Sequence, residues 1–288
     1  MIQGIIEFIK NNIASITTNI ISTIIYIFIA TIILLIIRRL KEYLNPYKRI
    51  FGFQKKEKQI FLCYAMIRHN IRNRRIFLLE IGDVTALYNI YAILTKTYNR
   101  KRIIVQNHNQ IHASLAEIKY FISISGPLYN SITEHYLGHL GSPVTFSRDK
   151  KSIIEINIKE EKNHQLYNSS YTEKGIVYNC HGIILSGQHI TSTGTKQKLI
   201  ICAGNSSMST YTGILILRRL GIDISYRRQL NKNGIRFNKK WCILFQVRNL
   251  DEREIWNMST PVGDSSLEYN IIKYYCEKDF LESYTNRF

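Results

Sequence analysis

The feature that most constrains this chain is a run of 25 uncharged residues near its N-terminus. No Asp, Glu, Lys or Arg occurs between Ile13 and Ile37, and from Ile20 onwards nearly every residue is aliphatic. An α-helix rises about 1.5 Å per residue, so roughly 20 residues cross the hydrocarbon core of a bilayer. A buried core helix would rarely run so long without a charge. A cleaved signal peptide would be followed by small residues, whereas basic residues follow here. Residues 13–37 are therefore predicted to form a transmembrane helix.

The net charge of +18 is concentrated just after this run. Residues 38–75 contain twelve Lys or Arg and two Glu, a net of +10, whereas residues 1–37 sum to zero. The positive-inside rule therefore predicts a single-pass protein with its N-terminus outside the cell membrane and its C-terminal domain in the cytoplasm. Nucleic-acid binders more often carry their charge on one face of the folded domain. The expected partner is thus a bilayer with anionic headgroups and not nucleic acid, although the basic strip would equally serve as a topology signal alone.

These boundaries predict the following organisation: a short N-terminal segment (1–12), the transmembrane helix (13–37), a basic juxtamembrane linker (38–59) and a cytoplasmic α/β domain (60–288). The pair Asn45-Pro46 should end any helical continuation, because the residue before a proline disfavours helical geometry. The apolar segment 59–69 suggests a helix at the edge of the domain.

Apolar runs and amphipathic segments alternate through the soluble part. Strands are predicted at 75–79, 103–106, 120–125, 199–203 and 241–247, and helices at about 83–98, 129–140 and 206–217. Such alternation favours a mostly parallel sheet with helices on its faces. The 144–190 region is predicted to add an antiparallel extension, and residues 267–280 suit a strand or a helix. The predicted fold class is thus α/β, a transmembrane helix followed by a Rossmann-like, mostly parallel sheet with an antiparallel extension.

The five cysteines are scattered and form no C-x-x-C pair. An odd, irregular set predicts reduced and mostly buried thiols in place of a disulfide framework.

Two strand–turn–helix units share a layout that suits ligand binding. In residues 122–133 and 200–210 a buried strand ends in a small residue, a glycine lets the backbone turn closely, and a helix begins with polar residues. Free amides at a helix start attract anions, and open parallel sheets bind ligands outside the carboxyl ends of their strands. The predicted ligand-binding residues are Ser125, Gly126, Asn130, Thr133, Gly204, Asn205 and Ser206.

A third strand end, Glu80-Ile-Gly82-Asp83, has the same form. If the three units are parallel neighbours, their loops share one rim, and Asp83 at the start of its helix would accept a ribose hydroxyl. The alternative is that all of these residues cap helices and close turns, because those tasks select the same residue types. None of the loops is a G-x-G-x-x-G motif or a P-loop.

Other candidate sites have weaker support. His135 and His139 are four residues apart, as are His108 and His112, but no third ligand is in view and no metal site is predicted. Cys180-His181 would pair a thiol with a base, yet neighbours on a strand point to opposite faces. Glu80 and Asp83 are the candidate catalytic carboxylates for chemistry on a nucleotide.

The units around Ser125-Gly126-Pro127 and Ala203-Gly204, which lie within residues 120–220, resemble Rossmann-like modules of prokaryotic membrane-tethered signalling or defence effectors. They are also similar to modules of archaeal surface-layer proteins, but that likeness would place the domain outside the cell, against the charge distribution. The resemblance carries no catalytic residue with it; the expectation of a nucleotide-type ligand comes from the three strand-end loops.

Three functions are therefore left open. The first is a membrane-anchored cytoplasmic sensor or effector that binds a nucleotide. The second is a nucleotide-processing enzyme of the glycosidic-hydrolase type. The third is a membrane scaffold without a ligand, and self-association is compatible with each.

Overall fold

The computed structural model describes residues 2–53, 59–71, 74–78, 80–148, 154–158, 166–171, 177–249 and 267–280. The chain divides into two compact units, Met1–Asn45 and Pro46–Phe288.

The first unit is one continuous helix, α1 (Ile2–Leu44). Its segment Thr17–Ile37 has a mean hydropathy of 3.0 and none of it is buried, so α1 is long and apolar enough to cross a membrane. The hydroxyls of Thr17 and Thr31 donate to carbonyl oxygens four residues earlier, each at 2.7 Å. Because each hydroxyl is the only polar group of its side chain, neither side chain needs a water molecule as a hydrogen-bond partner. The helix ends before Asn45-Pro46, as predicted.

The second unit contains the remaining elements. In chain order these are α2 (Pro46–Phe51), β1 (Ile60–Tyr64), β2 (Ile67–Ile71), β3 (Arg74–Leu78), α3 (Ile81–Thr97), β4 (Ile103–Asn107), α4 (His108–Ile111), β5 (Tyr120–Ile124), α5 (Ser131–His139), β6 (Val144–Arg148), β7 (Ile154–Ile158), β8 (Leu166–Asn168), β9 (Ser170–Tyr171), β10 (Val177–Ile190), β11 (Lys196–Gly204), α6 (Ser207–Ile222), α7 (Ile224–Lys232), β12 (Trp241–Asn249) and β13 (Leu267–Cys276). Short 3-10 turns occupy Arg100–Arg102, His112–Glu117 and Glu277–Asp279.

The main sheet has the strand order β13-β12-β10-β11-β5-β1-β4, with β9 beside β10. Strands β11, β5, β1 and β4 are parallel neighbours, whereas β10 pairs antiparallel with both β11 and β12, and β13 pairs antiparallel with β12. Consequently β4, β1, β5, β11 and β12 run one way and β10 and β13 the other. This architecture confirms the predicted α/β class and the mostly parallel sheet.

The antiparallel part differs in detail from the prediction for residues 144–190. Of the described strands in this region, β10 and the short β9 join the main sheet, while β6, β7 and β8 form a separate three-stranded antiparallel sheet. Residues 267–280, for which the sequence left two alternatives, provide the edge strand β13.

The helix predicted at 59–69 is wrong, because Ile60–Tyr64 is strand β1 and Ile67–Ile71 is strand β2. The run Ile-Phe-Leu-Cys-Tyr lies between β4 and β5 in the parallel part of the sheet. A strand buried in this way is apolar at every position, and a short apolar run has no periodicity that separates it from a buried helix. Strand β3 pairs with β2 as a hairpin instead of joining the main sheet.

Residues 46–53 belong to the folded domain although the sequence assigned them to the linker 38–59. Helix α2 buries Ile50 and Phe51 completely, and Phe53 packs on Tyr98 and Tyr120. The boundary therefore lies at Asn45-Pro46. Part of the predicted linker, residues 54–58, lies outside the described residues.

Two hydrophobic cores cover the two faces of the sheet. Along β11, Ile200 and Cys202 point into the core under α3, α6 and α7, whereas Leu199 and Ile201 point into the core under α5 and the three-stranded sheet. This alternation is the two-residue period of a strand. Burial on both faces explains why β5 and the part of β11 from Leu199 onwards are almost uniformly apolar in sequence.

The cysteines are free thiols, as predicted. Four of them, Cys63, Cys180, Cys202 and Cys242, are buried, and Cys276 is partly exposed.

Candidate functional site

The two predicted loops after β5 and β11 meet at one edge of the sheet. The strands are parallel neighbours with Cys202 paired to Ile124, so both chains leave the sheet at the same level. A Cβ atom placed on Gly126 would lie 2.6 Å from the carbonyl oxygen of Gly204. Real Cβ atoms do not approach an oxygen so closely, so this contact requires glycine.

The third predicted unit reaches the same rim by a different route. Strand β3, which precedes it, lies in the hairpin with β2 and not in the main sheet. Helix α3 instead packs along α6, and a Cβ on Gly82 would lie 2.5 Å from the carbonyl oxygen of Ser207. The first turns of the two helices are therefore in contact, which brings Asp83 to the two loops.

Asp83 is a buried carboxylate in the first turn of α3. The prediction that it caps this helix is wrong, because α3 begins at Ile81 with Glu80 as the capping residue. The side chain of Asp83 is 8% exposed, and its Oδ1 atom has no hydrogen-bond partner among the described residues. Burial raises the pKa of Asp83 to about 6 and the charge of Glu80 adds to the rise, while the hydroxyls of Ser125 and Thr210 oppose it.

Ser125 links the elements around Asp83. It has a φ of 93°, and among the described residues no other non-glycine residue has a positive φ. Its Oγ atom accepts the backbone N–H of Ala65 after β1 at 3.4 Å, and its carbonyl oxygen accepts the hydroxyl of Thr133 at 3.3 Å. A non-glycine residue in this region costs about 1–3 kcal/mol, and such strain concentrates at functional sites.

Two of the predicted ligand-binding residues, Asn130 and Thr133, serve the fold. The Oδ1 atom of Asn130 accepts the backbone N–H groups of Ile132 and Thr133, both at 3.2 Å. Its Nδ2 atom donates to the carbonyl oxygen of Ile124 at 2.9 Å and to the hydroxyl of Ser123 at 3.1 Å. The hydroxyl of Thr133 lies 2.7 Å from that of Ser123. Both side chains are fully buried, so they cap α5 and hold the loop.

The loop after β11 is held in a similar way. Asn205 accepts the backbone N–H of His181 at 2.8 Å and donates to the carbonyl oxygen of Tyr167 at 3.1 Å, with 2% of the residue exposed. Ser206 caps α6 by accepting the N–H of Met208 at 3.1 Å. Asn205 thus ties the loop to neighbouring strands, whereas Ser206 is partly exposed at the helix start.

The structure therefore brings together a smaller set than the sequence predicted. Asp83, Ser125 and Thr210 provide the polar groups, Gly126 allows the two loops to touch, and Gly82 allows α3 to touch the start of α6. Thr210 is absent from the predicted ligand-binding residues. Its position four residues after the capping Ser206, on the same side of α6, was the available signal.

A third histidine lies beside one of the two predicted histidine pairs, without the arrangement of a metal site. The rings of His135 and His139 lie 4.2 Å apart, and the ring of His189 on β10 lies 4.9 Å from that of His139. Burial lowers the pKa of His189 to about 4, with His139, His135 and Lys240 adding to the shift. Within the described ranges no group of three or more His, Cys, Asp or Glu is placed to hold a metal ion. In the other pair, the His108 ring bonds to Ser131 at 3.2 Å, and the side chain of His112 lies outside the described residues.

Cys180 and His181 do not form a nucleophile–base pair. Cys180 lies in the core under α6, where burial raises its thiol pKa to about 11. The ring of His181 packs on Tyr167 with centroids 5.0 Å apart, and burial lowers its pKa to about 4. A protonated thiol and a base on opposite faces of β10 have no route for proton transfer between them.

No protein-family model matches the chain, and no curated protein or solved structure matches it. The resemblance of residues 120–220 to Rossmann-like modules stays a prediction from sequence.

Proposed function

We propose that this chain is a membrane-anchored sensor or effector whose α/β domain binds a nucleotide-type ligand at the rim formed by Asp83, Ser125 and Thr210. The domain lies on the cytoplasmic side in this proposal, because the basic residues follow the span. The Rossmann-like character of the sheet belongs to the same proposal.

The observation that carries the proposal is the unpartnered Oδ1 atom of Asp83. With a pKa of about 6, roughly nine in ten of these carboxyls are ionised at pH 7. A buried carboxylate oxygen without a hydrogen-bond donor is costly, and native proteins seldom leave one without a function. A ligand hydroxyl would supply the missing donor, and the ribose of a nucleotide offers two neighbouring hydroxyls.

The position of this carboxylate supports a ligand that approaches from the sheet edge. The rim lies outside the carboxyl ends of β5 and β11, where open α/β sheets bind ligands. Ser206 and Ser207, partly exposed at the start of α6, are the nearest groups for an anionic part of the ligand. Asp83 would then accept a hydroxyl at one end of the ligand, while the start of α6 would attract an anionic group at the other end.

The test is a nucleotide screen on the full chain in detergent, read by thermal unfolding. A ligand at 100 times its dissociation constant should stabilise the protein by about 2.7 kcal/mol. The Asp83→Asn variant should lose this shift, whereas Glu134→Gln, which alters an exposed carboxylate on α5, should keep it. If no nucleotide stabilises the wild-type chain, the ligand-free scaffold becomes the better explanation.

A second function, cleavage of a nucleotide's glycosidic bond, is favoured by the raised pKa of Asp83. A carboxyl with a pKa near 6 can donate a proton to a leaving group at neutral pH. Incubation with nucleotides followed by chromatography would detect the released base. In this case Asp83→Asn should abolish turnover while the variant remains folded, and Glu80→Gln should change mainly the pH profile. Binding without product would support the sensor alone.

A further inference from the structure

The end of α6 and the start of α7 expose two aliphatic side chains beside each other. Ile222 is 68% exposed and Ile224 is 57% exposed, and Asp223 between them caps α7 by accepting the N–H of Tyr226 at 3.0 Å. The capped turn holds both isoleucines outward. These two large aliphatic residues, at the junction of α6 and α7, form a small exposed apolar surface that no described element covers.

The helix ends that carry these isoleucines, and the adjacent helix α2, are rich in basic residues. Residues 46–51 and 218–232 contain seven Lys or Arg and one acid, Asp223. We call this surface the basic corner; its cationic members are Lys48, Arg49, Arg218, Arg219, Arg227, Arg228 and Lys232. Asp223 pairs with Arg219 at 3.4 Å, so it offsets one charge of the seven.

Helix α2 is part of this surface because it is attached to α6. The hydroxyl of Tyr47 donates to the carbonyl oxygen of Arg218 at 3.1 Å, and Gly221 provides the space for the Tyr47 ring. Tyr47 also stacks on Phe51, whose side chain is fully buried. The cationic groups of α2 and α7 are close enough that Arg49 contributes to a lowered pKa of Arg227, after the larger effect of burial.

The short chain connection limits how far α2 can lie from the apolar span. The apolar span ends at Ile37, and Pro46, the first residue of α2, follows after eight residues. At the rise of a helix these residues extend about 12 Å, and the polar headgroup layer on each side of the hydrocarbon core is about 5–8 Å thick. The length of chain between the span and α2 thus allows the first element of the domain to lie at the edge of the headgroup layer.

We propose that the basic corner rests on the anionic lipid surface of the membrane that α1 spans, with Ile222 and Ile224 inserted among the headgroups. Cationic side chains around exposed aliphatic ones are the pattern by which protein surfaces bind anionic bilayers. Lipid is favoured over nucleic acid because the surface includes two exposed isoleucines and because only a short stretch of chain joins the domain to the span. The inference rests on α1 as a membrane span and is independent of ligand binding.

This contact would orient the candidate site. Helix α6 has 16 residues and runs from Ser207 at the rim to Ile222 at the basic corner, a length of about 24 Å. The rim of Asp83, Ser125 and Thr210 lies at the opposite end of α6 from the lipid contact. A domain seated on its basic corner therefore presents the rim away from the bilayer, open to soluble ligands.

The experiment places an environment-sensitive fluorophore at position 222 of the full chain, by Ile222→Cys in a Cys276→Ser background. The protein is reconstituted in vesicles of phosphatidylcholine, with or without phosphatidylglycerol, that carry a lipid-attached quencher. In the anionic vesicles we expect fluorescence to fall about twofold, and high salt should reverse this loss by screening. A fluorophore introduced by Glu134→Cys on α5 serves as the control and should show no quenching.

Charge reversal tests whether the basic corner itself, and not the overall positive charge of the domain, causes the quenching. The triple variant Arg218→Glu, Arg228→Glu and Lys232→Glu should lose the quenching at position 222. The matched triple Lys96→Glu, Lys101→Glu and Lys196→Glu makes the same change of charge at exposed positions elsewhere and should retain it. Thermal unfolding of both variants checks that they fold.

Three results would overturn the proposal. The first is a fluorophore at position 222 that stays unquenched in anionic vesicles. The second is equal quenching with and without phosphatidylglycerol, and the third is equal loss in the two triple variants. Nucleic acid would be the partner instead if a duplex oligonucleotide changed the fluorescence at position 222 more than anionic vesicles do.

Discussion

A Cβ atom on Gly126 would lie 2.6 Å from the carbonyl oxygen of Gly204, so the loops after β5 and β11 touch through their backbones. The contact joins residues 78 positions apart in the chain at the rim that we propose as the ligand site. It depends on the absence of a side chain, which makes it directly testable by mutation.

Gly126→Ala should therefore separate the two loops and destabilise the domain by about 1–3 kcal/mol, the usual cost of overpacking. The measurement is urea unfolding of the detergent-solubilised chain. Gly138→Ala is the matched control, since a Cβ there meets nothing within 4 Å. Replacing this helical glycine of α5 should stabilise the domain by about 0.5–1 kcal/mol. Equal effects of the two substitutions would contradict the close contact.

Asp83 should make stability decrease as the pH rises from about 4 to about 6. Its pKa is raised from 3.8 to about 6 in the folded state, mainly by burial. In this range the unfolded chain binds fewer protons than the folded one, so the free energy of unfolding falls with pH. A shift of roughly two units corresponds to about 3 kcal/mol. Asp83→Asn should remove this dependence and be the more stable protein at pH 7, which urea unfolding at several pH values would measure. Parallel pH profiles of wild type and variant would contradict the assignment.

Lys198 should have the opposite pH dependence. Its side chain is buried on β11, its Nζ atom lacks a hydrogen-bond partner among the described residues, and burial lowers its pKa to about 8. Because the unfolded chain keeps its proton up to pH 10, the free energy of unfolding should rise between about pH 8 and pH 10. Lys198→Met should stabilise the domain at pH 7 by up to about 3 kcal/mol. The exposed Lys196 on the same strand gives the control, and Lys196→Met should be nearly neutral.

Asn130→Ala distinguishes a structural residue from a ligand-binding one. The substitution removes the cap of α5 and leaves the buried hydroxyl of Ser123 without its amide donor. We expect a loss of about 2–4 kcal/mol in the free energy of unfolding, from the cap and the buried hydrogen bonds of the Asn130 amide together. Ligand affinity measured well below the unfolding temperature should change little. A large loss of affinity with unchanged stability would show that Asn130 contacts the ligand.

Local sequence patterns determined the span and most of the regular elements of this protein. The uncharged run up to Ile37 predicts a membrane helix because hydrocarbon thickness sets the length that any such helix needs. Strands β4, β5, β11 and β12 and helices α5 and α6 follow from apolar runs and periodicity, which are properties of neighbouring residues. The glycine after β5 and the one after β11 likewise marked the loops that meet.

Only the tertiary structure decided which distant residues are neighbours. The apolar residues of β1 suit a strand as well as a helix, and pairing between β4 and β5 settles the choice. The sequence predicted Asp83 at the rim through a parallel neighbouring strand, whereas α3 brings it there by packing along α6. Nothing in the chain order places His189 beside His139. Helix α2 was assigned to a linker because its docking on α6 depends on Gly221, far along the chain. These contacts depend on strand order and helix packing, and no local period encodes either of them.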